Sequence, residues 1–198
     1  MPTDNPESSV DRSHLEISYR LSPDDCVLEV DPGWSGFAQS NSAPGLDPNS
    51  VIGRPVWDFI SGVEVRAIYQ RLFDEVRSTQ KALSVAFRCD SPGEIRNMSL
   101  TIEPLPLGQL GIVSSLVERL RREPVELLEA GTARSDEMVS LCSWCKRVES
   151  ADGEWLEIEQ STWPRSAALL PRVSHGICPN CEGTIASELG HLAPDSSD

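Results

Sequence analysis

Two Cys-x-x-Cys pairs, Cys142 with Cys145 and Cys178 with Cys181, separated by the 32 residues of 146–177, constrain this chain more than any other feature. Two residues between thiolates let both sulfurs of a tight turn face one ion, and two such turns complete a four-coordinate shell. The spacing predicts a Zn(Cys)4 site, with Pro179 and Gly183 shaping the second turn. Two alternatives stay open: two disulfides, or a thiol redox pair beside a structural pair. Met1–Val10 has neither the basic start nor the apolar stretch of a secretory signal, so a cytoplasmic chain with reduced thiols is expected. The remaining cysteines, Cys26 and Cys89, lie in apolar strand-like runs and read as small buried hydrophobes.

Charge limits the partners. The chain has 31 acidic and 17 basic side chains, a formal charge of −14, and four thiolates around one dication make it more negative. That field opposes nucleic acid and anionic membrane surfaces. No apolar run is long enough to span a bilayer. The basic cluster at 118–122 reads as a solvated helix face, with Lys146 and Arg147 a lesser pair.

Composition divides the chain into an N-terminal tail (1–15), a mixed α+β domain (16–120), a helical connector (121–135), a metal module (136–185) and a C-terminal tail (186–198). Within the domain, Ile17–Leu21 and Cys26–Val30 flank a Ser-Pro-Asp-Asp turn and predict a hairpin. Trp34, Phe37 and Ala38 predict a short helix, and 39–50 reads as a loop. Ser61 and Glu64 form a capping-box pattern ahead of Val65, Ile68, Tyr69, Leu72, Phe73 and Val76, the buried face of a long helix. Alternation at Leu83, Val85 and Phe87, then at Met98, Leu100 and Ile102, and the run Leu110–Val117 predict three strands of an antiparallel sheet.

Two strands, short helices, a long helix and three strands is an order that resembles the PAS domain. The run Ser50-Val-Ile-Gly-Arg-Pro-Val-Trp-Asp-Phe-Ile60 resembles the segment entering the long PAS helix, and Trp34-x-x-Phe-Ala38 resembles the one after the first hairpin. Cys142-Ser-Trp-Cys-Lys-Arg-Val148, Trp155, Glu157, Glu159 and Val173-Ser-His-Gly-Ile-Cys-Pro-Asn-Cys181 are together similar to a CxxC…SHGxCPxC tail of bacterial signalling proteins. The resemblance implies a PAS-like antiparallel sheet with flanking helices, followed by a small zinc-ribbon-like module, in a cytoplasmic bacterial sensory or adaptor protein.

The family admits haem, flavin, small metabolites or no ligand, and the PAS ligand here is left unknown. No histidine occurs in 15–174, which excludes histidine-ligated haem and leaves Cys89 or Met98 as substitutes. No flavin-adduct motif is found; Phe87-Arg-Cys-Asp90 is similar to one only superficially, in a different place and on a strand. Pocket candidates between sheet and helices are Phe59, Phe87 and Met98. His175 reads as a turn histidine, with replacement of one sulfur as a ligand, or a hydrogen bond to a thiolate, as the alternatives. Trp144, Trp155 and Trp163 are expected around the metal, with Trp155 as the main packing residue, and Glu157 and Glu159 are expected to face solvent. No phosphate-binding loop, phosphoacceptor histidine or open metal shell is present, so no enzyme is expected. Output is expected through a protein partner of basic or mixed surface, or homodimerisation, with the connector and metal module transmitting. A redox sensor that loses zinc on oxidation, or a nucleic-acid-binding regulator, are the alternatives.

Overall fold

The computed structural model describes residues 16–40, 45–161 and 169–190. The tail expected at 1–15, His14, Trp163, His191 and the last eight residues lie outside the described residues. The hairpin forms as β1 (Glu16–Leu21) and β2 (Val27–Val30), followed by α1 (Trp34–Ser40) and α2 (Pro48–Val51), the latter in the stretch expected to be loop. Asp47 caps α2 by accepting from the Asn49 and Ser50 amides, with Pro48 in the first turn, where a missing N–H costs nothing.

The long helix α3 (Val63–Thr79) buries Val65, Ile68, Leu72, Phe73 and Val76 as the spacing required. Its capping box does not form. The helix starts at Gly62, with φ +92° and no side-chain cap. A Cβ there would lie 2.5 Å from the His175 carbonyl oxygen, so a close backbone contact decides the start in place of the local cap.

Three strands follow, β3 (Leu83–Arg88), β4 (Glu94–Pro104) and β5 (Leu110–Arg121), the last four residues longer than its apolar run suggested. The sheet is antiparallel throughout, in the order β2-β1-β5-β4-β3. Pairing of Leu83 with Ile102, Val85 with Leu100 and Phe87 with Met98 puts all six on the face that receives α3. Residues 118–121 of the basic cluster are therefore on a strand and not on a helix, with Arg122 just past its end.

The connector is not helical. After Arg121 the chain runs extended, with one 3₁₀ turn at Glu126–Leu128, into β6 (Arg134–Cys142). Val125 and Leu127, in the segment expected to be helical, are buried with Val139, Leu141, Val148 and Ile158 in a small second core. The short β7 (Val148–Glu149) and β8 (Trp155–Leu156), then β9 (Leu170–Gly176), complete a four-stranded sheet ordered β8-β7-β6-β9. Here β9 runs parallel to β6, and the second cysteine pair leads into a helix, α4 (Pro179–Gly190), an arrangement other than the two hairpin turns of a ribbon. The tail expected from residue 186 falls inside α4, whose Ile185 and Leu189 are buried. Among the described residues no helix is long and apolar enough to cross a membrane.

The boundary drawn at 120–136 does not leave the cysteines in a core of their own. Cys142, Trp144, Cys178, Cys181, Ile185 and Leu189 belong to the same buried cluster as Leu72, Phe73, Leu100 and Ile102. The first cysteine turn also covers the outer edge of β3: the Arg88 amide donates to the Trp144 carbonyl at 2.7 Å, and the Trp144 indole N–H donates to the Ala86 carbonyl at 2.7 Å.

Candidate metal centre

Parallel pairing explains how cysteines so distant in sequence converge. In a parallel pair both strands end at the same side, and the register sets Cys142 opposite Gly176. The first pair turns back at the end of β6 while the second follows the end of β9, and the Ser143 amide donates to the Gly176 carbonyl at 2.9 Å, holding the two together.

The four sulfurs lie within 4.8 Å of one another; Cys142, Cys178 and Cys181 are buried and Cys145 is half-buried. Cys145 Sγ and Cys178 Sγ are 3.7 Å apart. A tetrahedron with metal–sulfur bonds of about 2.3 Å has edges of about 3.8 Å, whereas a disulfide needs about 2.05 Å. All six cysteines are free, so the two-disulfide alternative is not formed. The donor set fits a single divalent ion.

The surroundings favour thiolate. The Cys178 amide donates to Cys142 Sγ and the Cys181 amide to Cys178 Sγ, both at 3.4 Å. Cys181 sits in the first turn of α4, where the helix dipole favours negative charge. Pro179 opens that helix, and Gly183 lies inside it at an ordinary negative φ, so the positive φ expected of Gly183 is carried in the first turn by Lys146 (φ 64°) instead. Hydrogen bonds from Cys145 and Cys181 draw the Cys142 thiol down to the ionised form. The same bonds push Cys145 up to about 12 and raise Cys181 further. Four thiols this close cannot all ionise by themselves, and a dication removes the conflict.

Lys146 extends the centre. Burial lowers its pKa against the attraction of Cys89, Asp90 and Cys142, and its ammonium donates to the Ser143 carbonyl at 2.8 Å. His175 is exposed on β9 and is outside the sulfur cluster; no described hydrogen bond joins its ring to a cysteine. Desolvation of the partly covered ring, then the charge of Lys146, holds its pKa below the usual histidine value.

The packing residue beside the cysteines is Trp144 and not Trp155. Trp144 is buried, with its ring centroid 5.7 Å from that of Tyr69 and 6.2 Å from that of Phe87, while Trp155 is half-buried. Glu157 and Glu159 do more than face solvent. Glu157 pairs with Arg88 at 3.0 Å and with Arg147 at 2.9 Å, and Glu159 pairs with Arg88 and Arg122. Asp90, with no exposed side-chain surface, binds both Arg88 and Arg122. Sequence reasoning missed this network because Glu157 and Glu159 lie 69 and 71 residues from Arg88, and Arg122 lies 32 and 37 residues from Asp90 and Glu159.

Of the three pocket candidates, Phe87 and Met98 come together and Phe59 does not. Phe87 and Met98 line a cavity of about 320 Å³ whose other walls include Trp144, Cys145, Cys181 and Ile185. Phe59 packs at another part of the core, with the Arg54 guanidinium 4.7 Å from its ring centroid.

No protein-family model matches the chain, and no curated protein matches its sequence. Among solved structures the chain is similar to a domain of an HTR-like protein from Haloarcula marismortui ATCC 43049, with 16% identity over 52% of this chain and 97% of that one, at a TM-score of 0.37. It is also similar to the photoactive yellow protein domain of the sensor histidine kinase Ppr from Rhodospirillum centenum, with 16% identity over 50% of this chain and 82% of that one, at a TM-score of 0.35.

Proposed function

We propose that this chain is a PAS-type sensory or adaptor protein of the bacterial cytoplasm, without catalytic activity, in which a structural zinc ion closes the core and output passes by contact with another protein. The observation that carries this reading is the placement of four convergent cysteines inside the core that the five-stranded sheet shares with α4. Four sulfur donors within 4.8 Å of one another suit zinc, and a shell of four thiolates leaves no position for a reacting water. Among the described residues they are the one group of metal-ligating side chains close enough to share an ion.

The partner-facing surface follows from charge. Glu157 and Glu159 are committed to arginines, whereas Glu149, Asp152 and Glu154 are exposed around the turn between β7 and β8. This acidic turn suits a basic or mixed protein surface and opposes a phosphate backbone. A redox role is the second reading, favoured by Cys145, whose half-buried sulfur is the most accessible of the four.

Elemental analysis of natively purified protein should give one zinc per chain, and its absence from reduced, chelator-free protein overturns the metal reading. Replacing Glu149, Asp152 and Glu154 by lysine should abolish capture of the partner from native cells while zinc and fold remain. Tight, salt-sensitive binding of the unaltered chain to duplex DNA overturns the protein-contact reading.

A further inference from the structure

The space usually sought for a ligand in such a sheet, between its inner face and the long helix, is filled: Leu72, Val76 and Ile102 have no exposed surface, and Phe73 and Ile112 have 1%. The cavity of about 320 Å³ lies elsewhere, between α4 and the end of the sheet where β4 is irregular at Asn97 and Met98. We propose that this cavity binds an uncharged aromatic molecule of one or two rings carrying a hydrogen-bond donor, and that the bound molecule covers Cys145 and slows loss of the metal. This rests on the sensory reading above for its biological use, although binding itself needs no partner.

The walls set the class of ligand. Phe87 and Trp144 offer ring faces, Met98 a polarisable sulfur, and Ile185 an aliphatic wall from α4. A volume of this size is at the lower end for small-molecule sites, which limits the occupant to one or two rings. Charge excludes anions: the cavity touches Cys145 and Cys181, whose metal-bound thiolates outweigh the dication, and Glu188 lines it as well. Arg88 also lines it, but its guanidinium is engaged by Asp90, Glu157 and Glu159. The Glu188 carboxylate is the acceptor for a hydroxyl or ring N–H. Because one wall is the sheet and the other is the helix that carries Cys181, an occupant bridges the two and stands between solvent and the one incompletely buried ligand sulfur.

The test uses zinc-loaded full-length protein with 2-naphthol and naphthalene-2-sulfonate as probes. Calorimetry should show one saturable 2-naphthol site per chain and markedly weaker binding of the sulfonate. Zinc transfer to excess chelator should slow about tenfold at a free 2-naphthol concentration of about ten times its Kd, since only unoccupied protein then releases metal. Val117→Trp and Thr184→Leu, both at exposed positions that line the cavity, should each fill it, so that naphthol binding is lost while zinc content and thermal melting stay as in the unaltered protein. Equal binding of the two probes, naphthol binding unaffected by both substitutions, or a transfer rate unchanged at saturation overturns the proposal. Absence of naphthol binding with partner capture intact overturns this site alone, whereas intact naphthol binding without partner capture overturns only the output reading.

Discussion

Residues 16–121 and 134–190 solve the same problem, covering a sheet face, with unequal means. The first has a 17-residue helix and strands of up to 12 residues, enough to bury a continuous apolar layer. The second has only 57 residues, two of its four strands are two residues long, and it supplies only four of the six buried side chains of the small second core, Val125 and Leu127 coming from the connector. A piece that small does not bury enough surface to stand alone. Its cysteines, Trp144 and the inner face of α4 are spent on the first region's core, so the four-cysteine cluster is a joint between the regions, not the hub of an appended module.

Removing one metal ligand tests that joint most severely. Zinc binding is worth on the order of 10 kcal/mol in modules of this size, so Cys178→Ser should lose the metal and unfold 134–190. Read from sequence, the effect would stop there. The shared core predicts that it spreads: Trp144, Ile185 and Leu189 leave the sheet, each withdrawing roughly 1.5–3 kcal/mol of burial. Hydrogen exchange resolved by segment should therefore show full loss of protection in 134–190 and partial loss in α3 and β3. Unchanged protection in α3 and β3 would show that the regions are energetically separate despite their contact.

A smaller effect probes the same joint from the other side. Gly62 and Gly53 both have positive φ, +92° and +85°, but a Cβ on Gly62 meets the His175 carbonyl oxygen while one on Gly53 meets nothing within 4 Å. Gly53→Ala should cost about 1–2 kcal/mol, the left-handed penalty alone. Gly62→Ala should cost more, about 1–3 kcal/mol of strain in addition, because β9 or α3 must shift. Thermal melts of the two variants give the comparison, and equal losses would mean that α3 and β9 are free to separate.

What the sequence made legible follows the same division. The inward residues of β3 and β4 and the buried face of α3 were readable because period-two and period-3.6 patterns are local and one face of each element is wet. The clustering of the four cysteines was readable because Cys-x-x-Cys spacing is itself the local geometry of a metal turn. Long-range contacts were not. The Ser61 cap gave way to the approach of His175, the connector at 121–135 is expected to be helical although Val125 and Leu127 find their core partners downstream, and the tail is expected from 186 because small and polar residues hide the i, i+4 pair Ile185 and Leu189. The parallel register of β6 and β9, which brings the ligands together, has no signature in either strand alone.

The ion pairs across the joint are expected to contribute least, and pH separates their effect. Burial raises the Glu159 pKa, but a hydrogen bond from its own backbone, the Arg122 hydrogen bond and the charges of Arg88 and Arg122 outweigh it, leaving the pKa below the usual value. A carboxylate depressed in the folded state stabilises at pH values above its unfolded pKa of about 4.3, and that contribution is lost as pH falls through the lower folded value. With the Glu159 side chain 31% exposed, solvent screening holds the contribution to about 1 kcal/mol or less. Glu159→Gln should therefore be slightly less stable than the unaltered protein in urea at neutral pH, with the two converging below about pH 4. Acid protonation of the cysteines affects both proteins alike, so the difference between them isolates the carboxylate. A difference that persists or widens in acid would mean that Glu159 acts through packing across the joint rather than through its charge.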